Sequence, residues 1–269
     1  MMELPPAEKF FAKKSFGQNF LVDERYVRKI IDALNPKKDD VVIEIGAGRG
    51  ALTGMLLEQA GRVIAVEFDR GLIPGLRERF GQNGNFILVD ADALNVDFSA
   101  TAGTKDKVKL VANLPYNIST TILQRLMEQR MVFSDLILMF QLEVVERITA
   151  KPGQAKRGFF TVLVEAYFDA EKLFDVPGKA FWPMPKVWSS VVRLIPKESA
   201  IPNEILFRKV VSLGFSQKRK TIFNNFKSVY SDSKRLLETS GIDPGRRAET
   251  LTLEEWIRYV DIIDARNPE

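Results

Sequence analysis

The chain has 269 residues, of which 45% are hydrophobic and 28% charged, the composition of a folded globular protein. It contains no cysteine and no histidine. This composition excludes disulfides, thiolate nucleophiles, imidazole bases and metal sites built from either residue type. No stretch has the length or apolar character of a signal peptide or a membrane span. We therefore expect a cytoplasmic protein that makes no contact with a membrane.

The formal net charge is only +4, but the basic residues are unevenly distributed. Three segments contain several lysines or arginines and no acid: residues 9–20, 147–164 and 205–231. If they converge in the fold, they form a surface suited to a phosphate backbone. The alternative is that each is an ordinary solvated face that binds nothing.

Strand and helix patterns alternate along most of the chain. Apolar and β-branched runs predict strands at 41–45, 62–67, 85–89, 107–112, 136–140 and 190–195. Apolar spacing predicts helices at 24–34 (with Asp23 as N-cap), 51–60, 72–80, from about 119, and 142–148. Residues 158–168 fit either state, 99–106 are typical of a polar loop, and 181–187 of a rigid loop with two prolines. Alternation of this kind indicates an α/β fold with a parallel sheet.

The composition changes after Pro196. The remaining residues show no strand pattern and are typical of short helices, the clearest of which is opened by a capping box from Thr252 to Glu255. We therefore predict two domains. Residues 1–197 form the α/β domain, including an N-terminal basic and aromatic segment 1–22, and residues 198–269 form a small all-helical domain.

The first predicted strand, Val41–Ile45, ends in glycines at positions 46, 48 and 50, and a helical pattern follows directly. Such a turn brings the backbone close to a ligand beside a helix N-terminus. By itself it is a weak signal, because any tight turn between strand and helix uses glycine, and its spacing departs from the dinucleotide fingerprint. The next two strands run into acids, Glu67 and Asp92. Together the three strand ends suit a ligand with ribose hydroxyls and an adenine amine.

Asn113-Leu114-Pro115-Tyr116 follows the fourth predicted strand, where parallel sheets place ligands. The exocyclic amine of a base is a poor nucleophile because its lone pair is delocalised into the ring. The Asn113 side-chain oxygen and the Leu114 carbonyl are placed to accept its two protons, and Pro115 stiffens the turn. Tyr116 offers a flat face for the base, at roughly 1–3 kcal/mol of stacking, and Phe181 is a candidate second wall. The alternative is an ordinary turn that ends a strand.

At this point the sequence resembles the ribosomal RNA adenine dimethyltransferases, most closely their bacterial KsgA type. The resemblance rests on residues 15–21, 44–50, 113–119, 181–187 and 241–249. It implies a Rossmann-like class I methyltransferase domain with a helical C-terminal domain, dependent on S-adenosylmethionine and on no metal. Two departures from the family pattern are Ala47, where proline is usual, and Trp188, where an acid is common.

The resemblance also assigns roles. It implies cofactor contacts at Asn19, Leu21, Gly46, Gly48, Glu67, Asp92 and Asn113. Glu67 would hold the ribose hydroxyls and Asp92 the adenine amine of the cofactor. Asn113 would lie between the methyl donor and the target amine, while Tyr116 and Phe181 would sandwich a flipped adenine.

The implied reaction is dimethylation of two adjacent adenines in the 3′-terminal hairpin of small-subunit rRNA, within an immature 30S subunit, by a monomer. One alternative is a large-subunit rRNA methyltransferase of the macrolide-resistance type, although that group usually has isoleucine where Leu114 stands. A DNA adenine methyltransferase would more typically carry Asp-Pro-Pro-Tyr. A third alternative is a non-catalytic assembly or transcription factor on the same fold, which would have no need of the chemistry at Asn113.

Overall fold

The computed structural model of the protein describes residues 18–114, 118–198 and 201–266. Its strands are β1 Phe20–Leu21, β2 Val41–Ile45, β3 Arg62–Glu67, β4 Phe86–Asp90, β5 Val108–Asn113, β6 Phe133–Gln141, β7 Phe168–Val176, β8 Phe181–Trp182 and β9 Ser189–Pro196. Its α-helices are α1 Glu24–Leu34, α2 Thr53–Gln59, α3 Ile73–Phe80, α4 Phe98–Ala102, α5 Ser119–Glu128, α6 Leu142–Ile148, α7 Phe159–Tyr167, α8 Glu204–Gly214, α9 Ile222–Phe226, α10 Ser233–Thr239 and α11 Leu253–Asp264. Across these ranges, none of the helices combines the length and apolar character needed to cross a bilayer.

The central sheet of the described chain has the strand order β4-β3-β2-β5-β6-β9-β7. The strands from β4 to β6 are mutually parallel, and β9 runs antiparallel to both of its neighbours. The chain first builds outward from β2 to β4 and then crosses back to β5. The strand order therefore reverses between β2 and β5, which creates a crevice at their carboxyl ends where open α/β sheets bind ligands. This confirms the predicted Rossmann-like α/β class.

Most of the elements predicted from apolar spacing are confirmed. Helix α1 begins after Asp23, whose carboxylate accepts a hydrogen bond from the Arg25 amide, and its buried face holds the residues at i, i+3, i+4 and i+7. Helix α11 begins with the predicted capping box between Thr252 and Glu255. In both helices the cap fixes the start and the apolar stripe fixes the buried face.

Two local expectations are corrected by the structure, and one open alternative is resolved. The expected polar loop 99–106 begins inside helix α4, because Asp97 caps that helix and Phe98 is fully buried. Residues 158–168, which fit either state, form helix α7 over most of their length, and strand β7, which was not predicted, follows directly. Strand β7 lies at the sheet edge and pairs only with β9 among the described strands, so its many charged residues face solvent and mask the apolar pattern. The start of the expected 181–187 loop is strand β8, which pairs with β1.

The C-terminal helices share one continuous core with the sheet. The same buried cluster contains Leu136 of β6, Leu163 of α7 and Trp256 of α11. Arg157 lies fully buried at this junction and donates to the carbonyl oxygens of Ala150 and Leu251, each at 3.2 Å. All helices after residue 200 in the described chain follow the predicted helical pattern. The division of the chain into domains at residue 197 stays a prediction.

Candidate active site at the carboxyl ends of the strands

The predicted cofactor residues lie along the carboxyl ends of four adjacent strands. Gly46 follows β2, Glu67 ends β3, Asp92 lies two residues beyond β4, and Asn113 ends β5. Register places Glu67 opposite Asp90, and Ile45 opposite Ala112. The sheet thus brings these residues to one edge, on both sides of the reversal in strand order.

The turn after β2 needs glycine for both conformation and space. Gly46, Gly48 and Gly50 have φ angles of 72°, 60° and 79°, a region that favours glycine. A Cβ atom at Gly50 would lie 2.3 Å from the Phe80 ring, and one at Gly46 would lie 3.5 Å from the Asn113 carbonyl oxygen. The backbone of this turn therefore approaches the end of β5 closely, and a side chain would fill the intervening space.

Glu67 is held in place by backbone amides. One carboxylate oxygen accepts hydrogen bonds from the amides of Phe68 at 3.0 Å and Asp69 at 2.8 Å, and the other accepts from Gly48 at 2.8 Å. Burial raises the pKa of Glu67, and these three hydrogen bonds act in the opposite direction. The carboxylate joins the end of β3 to the glycine turn, and a carboxylate has acceptor capacity beyond three bonds.

Glu44 is a second buried carboxyl group beneath the same turn. Its side chain is 1% exposed and accepts a 2.6 Å hydrogen bond from the Thr53 hydroxyl at the start of α2. Its pKa is raised to about 7, mainly by burial; the Thr53 hydrogen bond acts in the opposite direction, and the nearby charge of Glu67 acts in the same direction as burial. Glu44 therefore ties β2 to α2. Within the described residues, no three acidic side chains are grouped as a metal ion would require.

Asp92 is oriented by the loop that follows β4. Its side-chain oxygen accepts a hydrogen bond from the Leu94 amide at 2.9 Å, and its carbonyl accepts one from Asn95 at 2.9 Å. This local turn is typical of aspartate and fixes the direction of the side chain. Asp92 is only partly buried and lies two residues beyond the carboxyl end of β4.

Asn113 contacts the N-terminal segment. Its amide nitrogen donates a hydrogen bond to the Asn19 carbonyl oxygen at 3.3 Å. Leu114, which follows it, is 1% exposed. Pro115 and Tyr116 lie outside the described residues, and their predicted roles stay predictions.

A short ribbon covers the predicted site and links two sequence motifs. Strands β1 and β8 pair antiparallel, with Leu21 opposite Phe181 and Phe20 opposite Trp182. Leu21 and Phe181 are each 4% exposed and belong to one apolar cluster. The Phe181 ring therefore packs into the protein core here, and a base can stack on it only if part of that ring is uncovered. Its role as an aromatic wall stays a prediction.

Sequence reasoning missed the position of Arg49. Its guanidinium carbon lies 4.9 Å from the ring centroids of both Phe20 and Trp182. These distances suit cation–π contacts, which attach the ribbon to the glycine turn. The turn motif contains Arg49 and the resemblance covers Trp182, but their contact depends on the register of β1 against β8, which no local pattern reveals.

Two of the acid-free basic segments do converge. The Lys218 ammonium donates to the Ala155 carbonyl oxygen at 2.5 Å, and the Gly153 amide donates to the Glu249 carbonyl at 2.8 Å. Lysines and arginines at positions 151, 156, 218, 219 and 220 are exposed beside these contacts. The basic residues 9–17 lie outside the described chain. Lys156 is paired with Glu146, and the other four cations give the patch formed by residues 151–156 and 218–220 the positive charge expected of an RNA contact.

Comparison with known proteins agrees with this architecture. A family model described as ribosomal RNA adenine dimethylase matches residues 9–265. A Clostridium botulinum protein named ribosomal RNA small subunit methyltransferase A is 43% identical, with 94% of each chain covered. A protein of the same name from Chromohalobacter salexigens is 40% identical over 100% of this chain and 96% of its own.

Solved structures give the same result for the fold. A Plasmodium falciparum dimethyladenosine transferase superposes with a TM-score of 0.76 at 28% identity, covering 89% of this chain and 95% of that one. The 23S rRNA methyltransferase ErmE superposes with a TM-score of 0.73 at 25% identity, covering 91% and 100%. Given the match of the family model over nearly the whole length, the chain belongs to the ribosomal RNA adenine dimethylase family.

Proposed function

We propose that this protein uses S-adenosylmethionine to dimethylate the N6 amines of two adjacent adenines in the 3′-terminal hairpin loop of small-subunit rRNA. The observation that carries the proposal is the row of Gly46, Glu67, Asp92 and Asn113 along four adjacent strand ends. It occurs in a chain whose relatives at 40–43% identity are named small-subunit rRNA methyltransferases.

The residues of the crevice fit the cofactor. S-adenosylmethionine, when bound, supplies a methyl group made electrophilic by its sulfonium charge. Glu67 would accept from ribose hydroxyls, because backbone amides already hold its carboxylate in place. Asp92 would accept from the adenine amine. The positive φ of Gly46 and its close approach to the Asn113 carbonyl would leave the backbone of the turn open to the ligand, without a side chain between them.

The end of β5 would act on the target base. With its amide nitrogen donating to Asn19, Asn113 keeps its side-chain oxygen as the acceptor for one N6 proton. The Leu114 carbonyl would accept the other, so that the nitrogen lone pair is directed out of the ring plane. Tyr116 would stack on the base, and Phe181 would form the opposite wall once its ring is uncovered. Once alkylated, the N6 amine is acidic enough to release its proton to water, so the reaction requires no general base.

The RNA would be held mainly by charge. The patch at residues 151–156 and 218–220 lies where the helical segment 198–269 meets the α7 side of the sheet. We propose that this segment and patch grip rRNA of an immature 30S subunit and that the protein acts as a monomer. Phosphate contacts of this kind position the RNA without reading its sequence.

Two other functions compete with this one. ErmE, a 23S rRNA methyltransferase, has the same fold, so the fold alone does not distinguish a large-subunit from a small-subunit substrate. The names of the relatives at 40–43% identity favour the small subunit. A non-catalytic factor would not require Glu67, Asp92 and Asn113 at adjacent strand ends.

One experiment separates these functions. Labelled methyl groups from S-adenosylmethionine are offered to unmethylated small and large ribosomal subunits in parallel, and the RNA is then digested to nucleosides. We expect dimethyladenosine in the small-subunit RNA, approaching four methyl groups per particle. Label in the large subunit would support the resistance-type function. Cofactor binding with transfer to neither subunit would support a binding factor.

A further inference from the structure

An open groove of about 540 Å³ lies between helix α1 and the loop that carries Phe181. Its walls include Tyr26, Lys179, Met184, Lys186, Val187 and Trp188. We call it the Trp188 groove. We propose that it binds a nucleotide that flanks the target adenine in single-stranded RNA, with the base stacked on Trp188. This inference rests on the proposed function, because it extends the substrate site of that reaction.

The groove presents apolar surface that the fold leaves uncovered. Met184, Val187 and Trp188 are 70%, 44% and 53% exposed, although each is large and apolar. Clustered exposure of this kind marks a binding surface more often than scattered single residues do. Tyr26 contributes a half-buried aromatic ring on the α1 side.

Trp188 has a fixed backbone close to the end of β5. Its carbonyl oxygen accepts a 2.9 Å hydrogen bond from the Leu142 amide at the start of α6. Register places Asn113 opposite Met139, and Met139 opposite Val191. Trp188 therefore lies three residues beyond that row along the strand direction, roughly 10 Å, and two strands to the side of Asn113, roughly another 10 Å, which together give a separation of roughly 14 Å. At roughly 3.4 Å per nucleotide in a stacked strand, about four nucleotides span that distance, and fewer do so when the strand is extended.

The charge around the groove favours a polyanion. Lys179 and Lys186 are exposed on its walls. Two acids near the groove are each paired with an arginine. Asp23 is paired with the Arg25 guanidinium at 2.7 Å and 3.0 Å, and that pairing, helped by Lys179, lowers the pKa of Asp23. Glu143 follows Leu142 and is paired with Arg147 at 3.8 Å. Cations next to exposed aromatic rings are the combination that binds single-stranded nucleic acid, because every base has a face to stack. We therefore assign RNA, rather than an apolar protein segment, as the occupant.

The test compares three variants of the full-length protein: Trp188→Ala, the conservative Trp188→Phe, and Met131→Ala as control. Met131 is 46% exposed but precedes the amino end of β6, at the opposite edge of the sheet. We expect Trp188→Ala to raise KM for unmethylated small subunits by about 5- to 100-fold, the range that stacking of one base supplies. We expect kcat and the dissociation constant of S-adenosylmethionine to change less than twofold. Trp188→Phe should recover most of the loss, and Met131→Ala should match the wild type.

A second measurement identifies the occupant. Binding of a fluorescent octa-adenylate RNA should weaken in Trp188→Ala by a factor similar to the change in KM. A raised KM with unchanged octa-adenylate binding would show that the groove contacts a protein of the particle. A wild-type dimer that Trp188→Ala dissociates in ultracentrifugation would show that a second copy occupies it. Either result overturns the inference, as does a KM that stays at the wild-type value.

Failure of the inference can be told apart from failure of the proposed function. If wild type methylates small subunits and Trp188→Ala does so with equal KM, only the groove assignment is lost. If wild type methylates neither subunit, the proposed function is lost, and octa-adenylate binding still decides whether the Trp188 groove holds RNA. Thermal unfolding of each variant, followed by circular dichroism, controls for loss of structure.

Discussion

The amide nitrogen of Asn113 lies 3.3 Å from the carbonyl oxygen of Asn19 and donates a hydrogen bond to it. This bond joins the end of β5 to the segment that enters the β1–β8 ribbon. Because the nitrogen is engaged by the N-terminal segment, the same contact orients the Asn113 side-chain oxygen. The position of Asn19 and the orientation of the Asn113 side chain are therefore coupled.

We predict that Asn113→Ala lowers the rate of methyl transfer by about 10² to 10³, the loss typical of removing one aimed polar group from a reacting centre. Single-turnover transfer to small subunits at saturating S-adenosylmethionine measures it. Asn95→Ala is a matched control, since Asn95 is exposed and contacts Asp92 through its backbone amide, which the substitution retains. A rate within threefold of wild type would refute the assigned role.

We predict that Glu67→Gln weakens S-adenosylmethionine binding by about 10- to 100-fold. The carboxylate accepts from backbone amides through both oxygens, and an amide group would turn one acceptor into a donor that faces another donor. Isothermal titration calorimetry measures the change. Glu58→Gln is the control because Glu58 is exposed at the end of α2, away from the strand ends. Equal affinity in Glu67→Gln and wild type would show that the Glu67 carboxylate stabilises the glycine turn but does not bind the cofactor.

We predict that the pKa of Glu44 makes stability depend on pH. Its folded-state pKa is about 7, against an ordinary value of 4.5, so between these values the folded protein retains a proton that the unfolded chain releases. The free energy of unfolding should therefore fall as pH rises from about 4.5 to 7, by up to roughly 3 kcal/mol, and level off above.

The measurement is urea denaturation at pH 5, 6, 7 and 8. Glu44→Gln keeps an oxygen to accept from Thr53 but carries no charge. We expect the slope between pH 5 and 7 to become shallower in the variant, because of these two carboxyl groups only Glu67 then keeps a raised pKa, and we expect the variant to exceed wild type at pH 8 by on the order of 1–3 kcal/mol. Glu78→Gln, at an exposed position of α3, should keep the wild-type slope. An unchanged slope in Glu44→Gln would assign it to other groups.

Local pattern predicted the elements that determine the site. Strands that end in Gly46, Glu67 and Asn113 were predictable because a strand buried on both faces appears as a continuous apolar run. Strand β7 was not, because an edge strand faces solvent on one side and its Lys172 and Glu171 hide the alternation. Sequence alone thus located the strand ends where the predicted cofactor residues lie.

The contacts between distant segments could not be predicted from the sequence. The pairing of Leu21 with Phe181, and the position of Arg49 between Phe20 and Trp182, depend on long-range register. The burial of Phe181 follows from that pairing and is invisible in the residue type. Periodicity reports which face of an element is buried but carries no information about what covers it.

We predict that replacing Lys218, Arg219 and Lys220 with alanine weakens binding to small subunits and reduces the dependence on salt. Each of these cations that neutralises a phosphate in the wild type should contribute about 0.7 to 0.9 to the slope of log affinity against log salt. Binding measured across a salt series tests this. Lys105→Ala with Lys107→Ala is the control, since both are exposed at the amino end of β5. An unchanged slope in the triple variant would identify the patch as a solvated face.

The last prediction concerns the junction between the sheet and the C-terminal helices. Arg157 is fully buried, lies 2.6 Å from the Glu165 carboxylate and donates to the carbonyls of Ala150 and Leu251. Replacing it with methionine leaves the two carbonyls without their donor, at about 1–3 kcal/mol for each buried acceptor left unpaired. The Glu165 carboxylate is 34% exposed, so water can replace its partner at little further cost.

Since one apolar cluster spans the junction, we expect wild type and Arg157→Met to unfold each in a single transition, with the variant's midpoint lowered. Differential scanning calorimetry and circular dichroism give the number of transitions and their midpoints. Lys156→Met, at the neighbouring exposed position, should change stability little. Two separate transitions, of which only one responds to Arg157→Met, would instead show that the segments before and after residue 197 fold as independent domains. In that case the shared apolar cluster would be an interface between two domains. The Arg157 contacts would then stabilise the docking of one domain on the other and not the fold of either domain.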